Sequence, residues 1–75
     1  MILWKSRSYK ILKDSGLSVL DLALSLNLEI WQVKDILDGV QAASYNQAKK
    51  LLSVFGIKSI CWAMKGNWKW LRYAY

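Results

Sequence analysis

Apolar positions recur along most of this chain at helical spacing. Trp4, Ser8, Ile11, Leu12 and Ser15 fall at i, i+4, i+7, i+8 and i+11, which predicts a first helix over about residues 5–15. Gly16 stops it. Ser18 follows as an N-cap, with Asp21 three residues on in the capping-box position. A second helix is expected over about 18–26, with Leu22, Ala23 and Leu26 inward. Asn27 breaks it, because asparagine tolerates the left-handed conformation that a tight interhelical turn needs. A third helix, about 29–37, points Val33, Ile36 and Leu37 inward and ends before Gly39 as a C′ glycine. After a polar loop at Gln41-Ala42-Ala43, Ser44 caps a fourth helix, about 45–55. That helix carries Ala48, Leu51, Leu52 and Phe55 on its inner face and is closed by Gly56.

The pattern then changes. Ile57–Lys65 and Trp68–Tyr75 are rich in aromatic and β-branched residues and flank Gly66-Asn67. That arrangement predicts a β-hairpin over about 58–75. A short amphipathic helix from Trp68 to Tyr75 is the rival for the second run. Met1–Trp4 is available as an added N-terminal strand, since an isolated hairpin is marginal in water. The expected fold class is mainly α: four helices with a C-terminal β-hairpin, in a single domain spanning residues 1–75.

Composition narrows what such a domain does. The 75 residues are 55% hydrophobic, with no proline and four glycines. That excludes disordered, collagen-like and low-complexity readings. A chain of this size buries about 60% of the surface its unfolded form exposes, too little to build a large enclosed active site. There is no histidine and a single cysteine, Cys61. The usual near-neutral acid–base group is therefore missing, and neither an internal disulfide nor a cysteine-rich metal site can form. The five acids accompany no phosphate loop or nucleophile motif. The expectation is a protein that is no enzyme and takes no cofactor or metal. The longest apolar-looking stretch, Leu17–Trp31, is cut by Ser18, Asp21, Ser25, Asn27 and Glu29, short of a spanning helix. Met1-Ile2-Leu3-Trp4 is too short for a signal core. A cytoplasmic protein without a membrane segment is expected.

The charge is unevenly laid out. Residues 1–13 carry Lys5, Arg7, Lys10 and Lys13, for +4. Residues 14–39 carry all five acids and only Lys34, for −4. Residues 40–75 carry Lys49, Lys50, Lys58, Lys65, Lys69 and Arg72, for +6. A basic total suits a polyanion partner and equally suits a solvated, solubilising surface.

The stretch Leu17-Ser18-Val19-Leu20-Asp21-Leu22-Ala23-Leu24-Ser25-Leu26-Asn27-Leu28-Glu29-Ile30-Trp31-Gln32-Val33-Lys34-Asp35-Ile36-Leu37-Asp38-Gly39 resembles the helix-turn-helix of the λ-repressor/Cro family. Ser18 stands at the first N-cap, Leu22-Ala23 at the Leu-Ala pair, and Asn27 at the turn glycine. Val33 and Ile36 stand at the inward positions of the recognition helix. Ser44–Ala48 through Leu51–Ile57 is similar to the family's following helix. The likeness covers about residues 8–57. It implies a λ-repressor-like four-helix helix-turn-helix domain whose third helix enters the DNA major groove, and a trailing hairpin of the Cro type. Lys5, Arg7, Lys10, Ser18, Lys49 and Lys50 are then candidate phosphate contacts.

The third helix departs from a base reader. At about 100° per residue its outer face carries Trp31, Lys34, Asp35 and Asp38, with Glu29 and Ile30 at its start and Gln32 to the side. Base readers are mainly Arg, Lys, Asn and Gln, and here only Gln32 and Lys34 qualify. Val19 stands where the family has a polar backbone contact, and Glu29 where it has a serine or threonine cap. Glutamate can accept from cytosine. An exposed tryptophan on an acidic helix instead fits a protein interface. Trp31 folded back onto the core, with Asp35 and Asp38 merely solvated, is the plain structural reading. The tail, with Trp62, Trp68, Trp70, Tyr73 and Tyr75 among Lys65, Lys69 and Arg72, suits core cover, a dimer seam or base stacking.

Two functions follow. The first is an antirepressor, similar to the modulator-of-repression proteins of temperate-phage genetic switches, whose partner is a helix-turn-helix repressor. The second is an orthodox Cro-like DNA-binding regulator, working as a homodimer on a palindromic operator. A cationic, tryptophan-rich membrane-surface peptide is a third class, and the helical body argues against it.

Overall fold

The computed structural model describes residues 1–66. Five helices follow one another: α1 (Lys5–Ser15), α2 (Val19–Leu26), α3 (Ile30–Leu37), α4 (Tyr45–Phe55) and α5 (Ile57–Ala63). The molecule is mainly α, as the periodicity predicts, and the first four helices lie within a residue of their expected limits. Their ends form for the local reasons expected. The Ser18 Oγ accepts from the Asp21 N–H at 3.1 Å, and the Asp21 carboxylate accepts from the Ser18 N–H at 2.9 Å. Ser44 and Gln47 make the same reciprocal pair at the start of α4. Asn27 closes α2 in the left-handed conformation. At the end of α3 the Gly39 N–H donates to the Ile36 carbonyl and the Val40 N–H to the Asp35 carbonyl, a Schellman closure with Gly39 at φ 76°.

Each helix commits one stripe to a common core. Ile11 and Leu12 of α1, Leu22, Ala23 and Leu26 of α2, Val33, Ile36 and Leu37 of α3, and Leu51 and Leu52 of α4 are all buried. Trp4 and Ser15, the ends of the stripe expected on α1, are exposed. Ser8 is the buried polar residue of that stripe. Its hydroxyl donates to the Leu37 carbonyl at 2.6 Å and so satisfies one of the carbonyls that the end of α3 leaves open.

The expected hairpin is corrected in its first half. Ile57–Ala63 is the helix α5, not a strand. The pattern there contains Ile60, Ala63 and Met64 at i, i+3 and i+4, and these three are buried while Ile57 and Trp62 stay exposed. Packing of that stripe against α1 and α4 outweighs the β-propensity of two isoleucines, since propensity is a weak prior against burial. The second half, Trp68–Tyr75, lies outside the described residues.

The N-terminal segment is extended, as a third strand would be, but its partners differ. Leu3 makes a single antiparallel bridge with Met64. The Trp4 N–H donates to the Ala63 carbonyl at 2.7 Å and the Lys65 N–H to the Ile2 carbonyl at 2.8 Å. On its other side the Ala43 N–H donates to the Met1 carbonyl at 2.8 Å. The segment thus straps the end of α5 to the loop before α4. Leu3 is buried beneath it, and the Leu3 carbonyl lies so close to Gly39 that a Cβ there would collide with it.

Two glycine substitutions separate backbone conformation from crowding. Gly16 and Gly39 both have positive φ, but nothing surrounds the missing Cβ of Gly16. Gly16→Ala is expected to cost about 1–2 kcal/mol, the left-handed penalty alone. Gly39→Ala is expected to cost measurably more, because the strap must move. Ser44→Ala should cost about 1 kcal/mol through the lost cap. Urea unfolding of the three variants checks the order.

Candidate partner-binding face of α3

Capping chemistry decides how α3 is presented. The Gln32 Oε1 accepts from the Glu29 N–H at 2.9 Å, which turns this side chain back to the start of the helix. Val33, Ile36 and Leu37 are sealed beneath. What remains outward is Ile30, 44% exposed, Trp31, 63% exposed, and the exposed Glu29 and Lys34. Trp31 is thus no core residue.

Beside Trp31 runs an open groove of about 460 Å³, lined by Trp31, Gln32 and Asp35 of α3 and by Gln41, Ala42, Ser44 and Gln47 across from it. The groove exists because the Schellman closure folds Val40 and Gln41 back onto the Asp35 carbonyl at 3.0 and 3.1 Å. The loop then stands off from the helix face and starts α4 opposite it. Gln47 holds its own wall by accepting from the Ser44 N–H. Asp35 is the charged residue lining this groove. The pattern of α3 alone singles out Trp31, Gln32 and Asp35. Gln41, Ala42, Ser44 and Gln47 escape it, because in sequence they read only as loop and α4 start.

Asp38, expected on the same outer face, is placed elsewhere. It is the C-cap of α3, at the end where α1 packs, and it borders a second hollow with Trp4, Lys5, Tyr9 and Lys65. Its Oδ1 is buried with no hydrogen-bond partner among the described residues. The angular position from Trp31 is as expected; α1 covers the end of the helix, which no single-helix projection contains. Burial, and then the hydrogen bond and negative charge of Asp38, push the Tyr9 hydroxyl up to about 12.

The candidate phosphate contacts divide. The Arg7 Nη1 donates to the Trp62 carbonyl at 2.7 Å while its guanidinium lies 5.2 Å from the centre of the Trp62 ring. Lys10 pairs with Asp14 at 3.4 Å in a groove between α1, α4 and α5 that also holds Trp62. Lys5 borders the Asp38 hollow. Ser18 is occupied with capping α2. Lys49 lies 5.5 Å from the Tyr45 ring centre, and Lys50 is exposed on α4. None of these lines the α3 groove.

Among the described residues no three Cys, Asp or Glu side chains gather as a metal site requires. No described helix is long and apolar enough to cross a membrane. Compared with protein-family models, curated proteins and solved structures, the chain finds no match.

The Tyr9–Asp38 contact sets a pH dependence. The folded state holds Tyr9 neutral up to about 12, whereas the unfolded chain releases that proton near 10. The folded state then binds more protons between these values, so stability falls as pH rises through that window. Tyr9→Phe should remove this component, seen as a flatter denaturation midpoint between pH 10 and 12. Asp21 behaves in the opposite sense. Its hydrogen bonds from the Ser18 backbone and then side chain lower its pKa, and the stability it contributes is lost as pH falls below the ordinary carboxylate range. Asp21→Asn should remove that acid-side loss.

Proposed function

We propose that this protein is an antirepressor: a small regulator on a λ-repressor/Cro-like helix-turn-helix scaffold, with α2 and α3 as the motif. It binds a helix-turn-helix repressor and covers that protein's DNA-contacting face. The setting is the genetic switch of a temperate phage, in the cytoplasm of its bacterial host. The observation that carries this reading is the character of the α3 face. A tryptophan 63% exposed stands at the lip of a groove whose charged lining residue is an aspartate. Large exposed aromatics mark interface hot spots, and an acidic rim complements the basic surface with which a repressor meets phosphate. A major-groove helix needs the reverse: cations around it and amide or guanidinium donors on it. Here Arg7 and Lys10 are engaged with Trp62 and Asp14, and the Gln32 carbonyl oxygen serves the helix start.

Direct DNA binding is the second reading. Its support is the exposed Lys49 and Lys50 on α4, the helix whose first turn forms the far wall of the groove, and the exposed Lys34 on α3 itself. These give phosphate contacts without base contacts.

The two readings separate in fluorescence anisotropy on labelled DNA from around the protein's own gene, with the neighbouring repressor prebound. An antirepressor lowers the signal by stripping the repressor, and binds that DNA alone no tighter than the non-specific range of about 10⁻⁴–10⁻⁶ M. Specific binding by the protein alone, at about 10⁻⁸–10⁻¹¹ M, sinks the antirepressor reading. Trp31→Ala with Asp35→Ala is expected to abolish repressor capture. Capture that survives both changes removes α3 from the contact surface. On the DNA reading, Lys49→Ala with Lys50→Ala lowers the salt slope of binding by about 2.

A further inference from the structure

Four aromatic side chains among the described residues are exposed: Trp4, Trp31, Tyr45 and Trp62. Three of them carry a cation of this same chain. The Lys65 Nζ lies 4.5 Å from the Trp4 ring centre, the Lys49 Nζ 5.5 Å from Tyr45, and the Arg7 guanidinium 5.2 Å from Trp62. Trp31, the most exposed of the four, is the exception among the described residues, although Lys34 stands only three positions away on the same helix. One turn on from Trp31, at i+4, the Asp35 carboxylate lines the same groove and makes no ion pair or hydrogen bond within the described residues. An aromatic face and a carboxylate, side by side at the edge of one groove, are the two surfaces a guanidinium satisfies together. Its plane stacks on the indole while its forked N–H groups pair with the carboxylate. A lysine ammonium is more strongly hydrated and has no plane to stack. Glu29, exposed at the start of the helix, adds to the negative field that draws a cation in.

We infer that Trp31 and Asp35 form a receptor for an arginine side chain presented by the protein partner of α3. The inference rests on the protein-binding reading of that helix and specifies its chemistry: the partner's contact surface offers an arginine, which this chain takes up between an indole face and a carboxylate. Gln41, Ala42 and Ser44 line the same open groove of about 460 Å³.

The test titrates N-acetyl-arginine amide, its lysine equivalent and its citrulline equivalent into the full-length ¹⁵N-labelled chain. Citrulline keeps the shape of arginine and lacks the charge. The Trp31 indole N–H resonance, assigned by its loss in Trp31→Phe, is followed by NMR. The expected result is a saturable shift with arginine, a weaker response to lysine and none to citrulline. Asp35→Asn, with an unchanged backbone spectrum elsewhere, should weaken the arginine response about tenfold. Equal responses to arginine and citrulline, or full arginine binding by Asp35→Asn, overturn the proposal. Repressor capture by the same variants keeps the two ideas apart. Arginine selectivity with capture undisturbed in Trp31→Ala leaves the receptor standing and removes the repressor from it. Capture lost in Trp31→Ala without arginine selectivity keeps the protein-binding face and removes the arginine receptor.

Discussion

The strap of Met1–Trp4 is the element on which the rest of this small domain depends. Its backbone pairs with Ala43 on one side and with Ala63 and Lys65 on the other, while Leu3 fills the space between the helices at 2% exposure. The close approach of its carbonyl to Gly39 explains why the closure of α3 needs a glycine for two reasons at once. The residue must adopt the left-handed conformation, and it must have no side chain. A domain this short has few buried residues with which to offset the entropy of ordering its chain. Four residues that tie the α3–α4 loop to the end of α5 are therefore worth more than their number.

That joint also shapes the candidate site. Because Gly39 turns the chain sharply, Val40 and Gln41 return to the Asp35 carbonyl, and the loop then runs past the face of α3 to Ser44. The strap holds Ala43 in that loop from beneath. The groove beside Trp31 is thus a product of the C-terminal closure of one helix, the N-terminal capping of the next, and a backbone segment from the far end of the chain. Trp31 and Asp35 stand at the groove's edge on one helix, held in register by the backbone of α3.

Electrostatics divides the surface by use. Among the described residues, surface cations of the basic segments lie over aromatic rings of the same chain: Arg7 ties α1 to α5 across Trp62, and Lys65 lies over Trp4. Such contacts cover aromatic rings that so small a core cannot bury. They also fix where those cations sit, so the net charge of +6 is not the charge that any one face presents. In the acidic middle of the chain Asp14 pairs with Lys10, Asp21 caps α2 and Asp38 meets Tyr9, while Asp35 lines the groove. Charge counted along the sequence and charge offered on a surface are different quantities here.

Local rules carried much of the architecture. The caps at Ser18 and Ser44, the left-handed Asn27, the glycine after α3 and the 3.6-residue apolar stripes each act within a few residues, and their structural outcome is readable at that range. They place four helices and expose Trp31 on the outer face of α3. Longer-range contacts decided the remainder. Ile57–Ala63 carries both a β-rich composition and a helical stripe at Ile60 and Ala63, and burial of that stripe against α1 and α4 selects the helix. Asp38 projects along the Trp31 face, yet α1 lies over that end of α3 and turns it toward Tyr9. The far wall of the groove comes from residues ten to sixteen positions beyond Trp31, and no periodicity links them to it. Backbone propensity and capping are set by near neighbours, whereas burial and the company a side chain keeps are set by whatever the folded chain brings alongside.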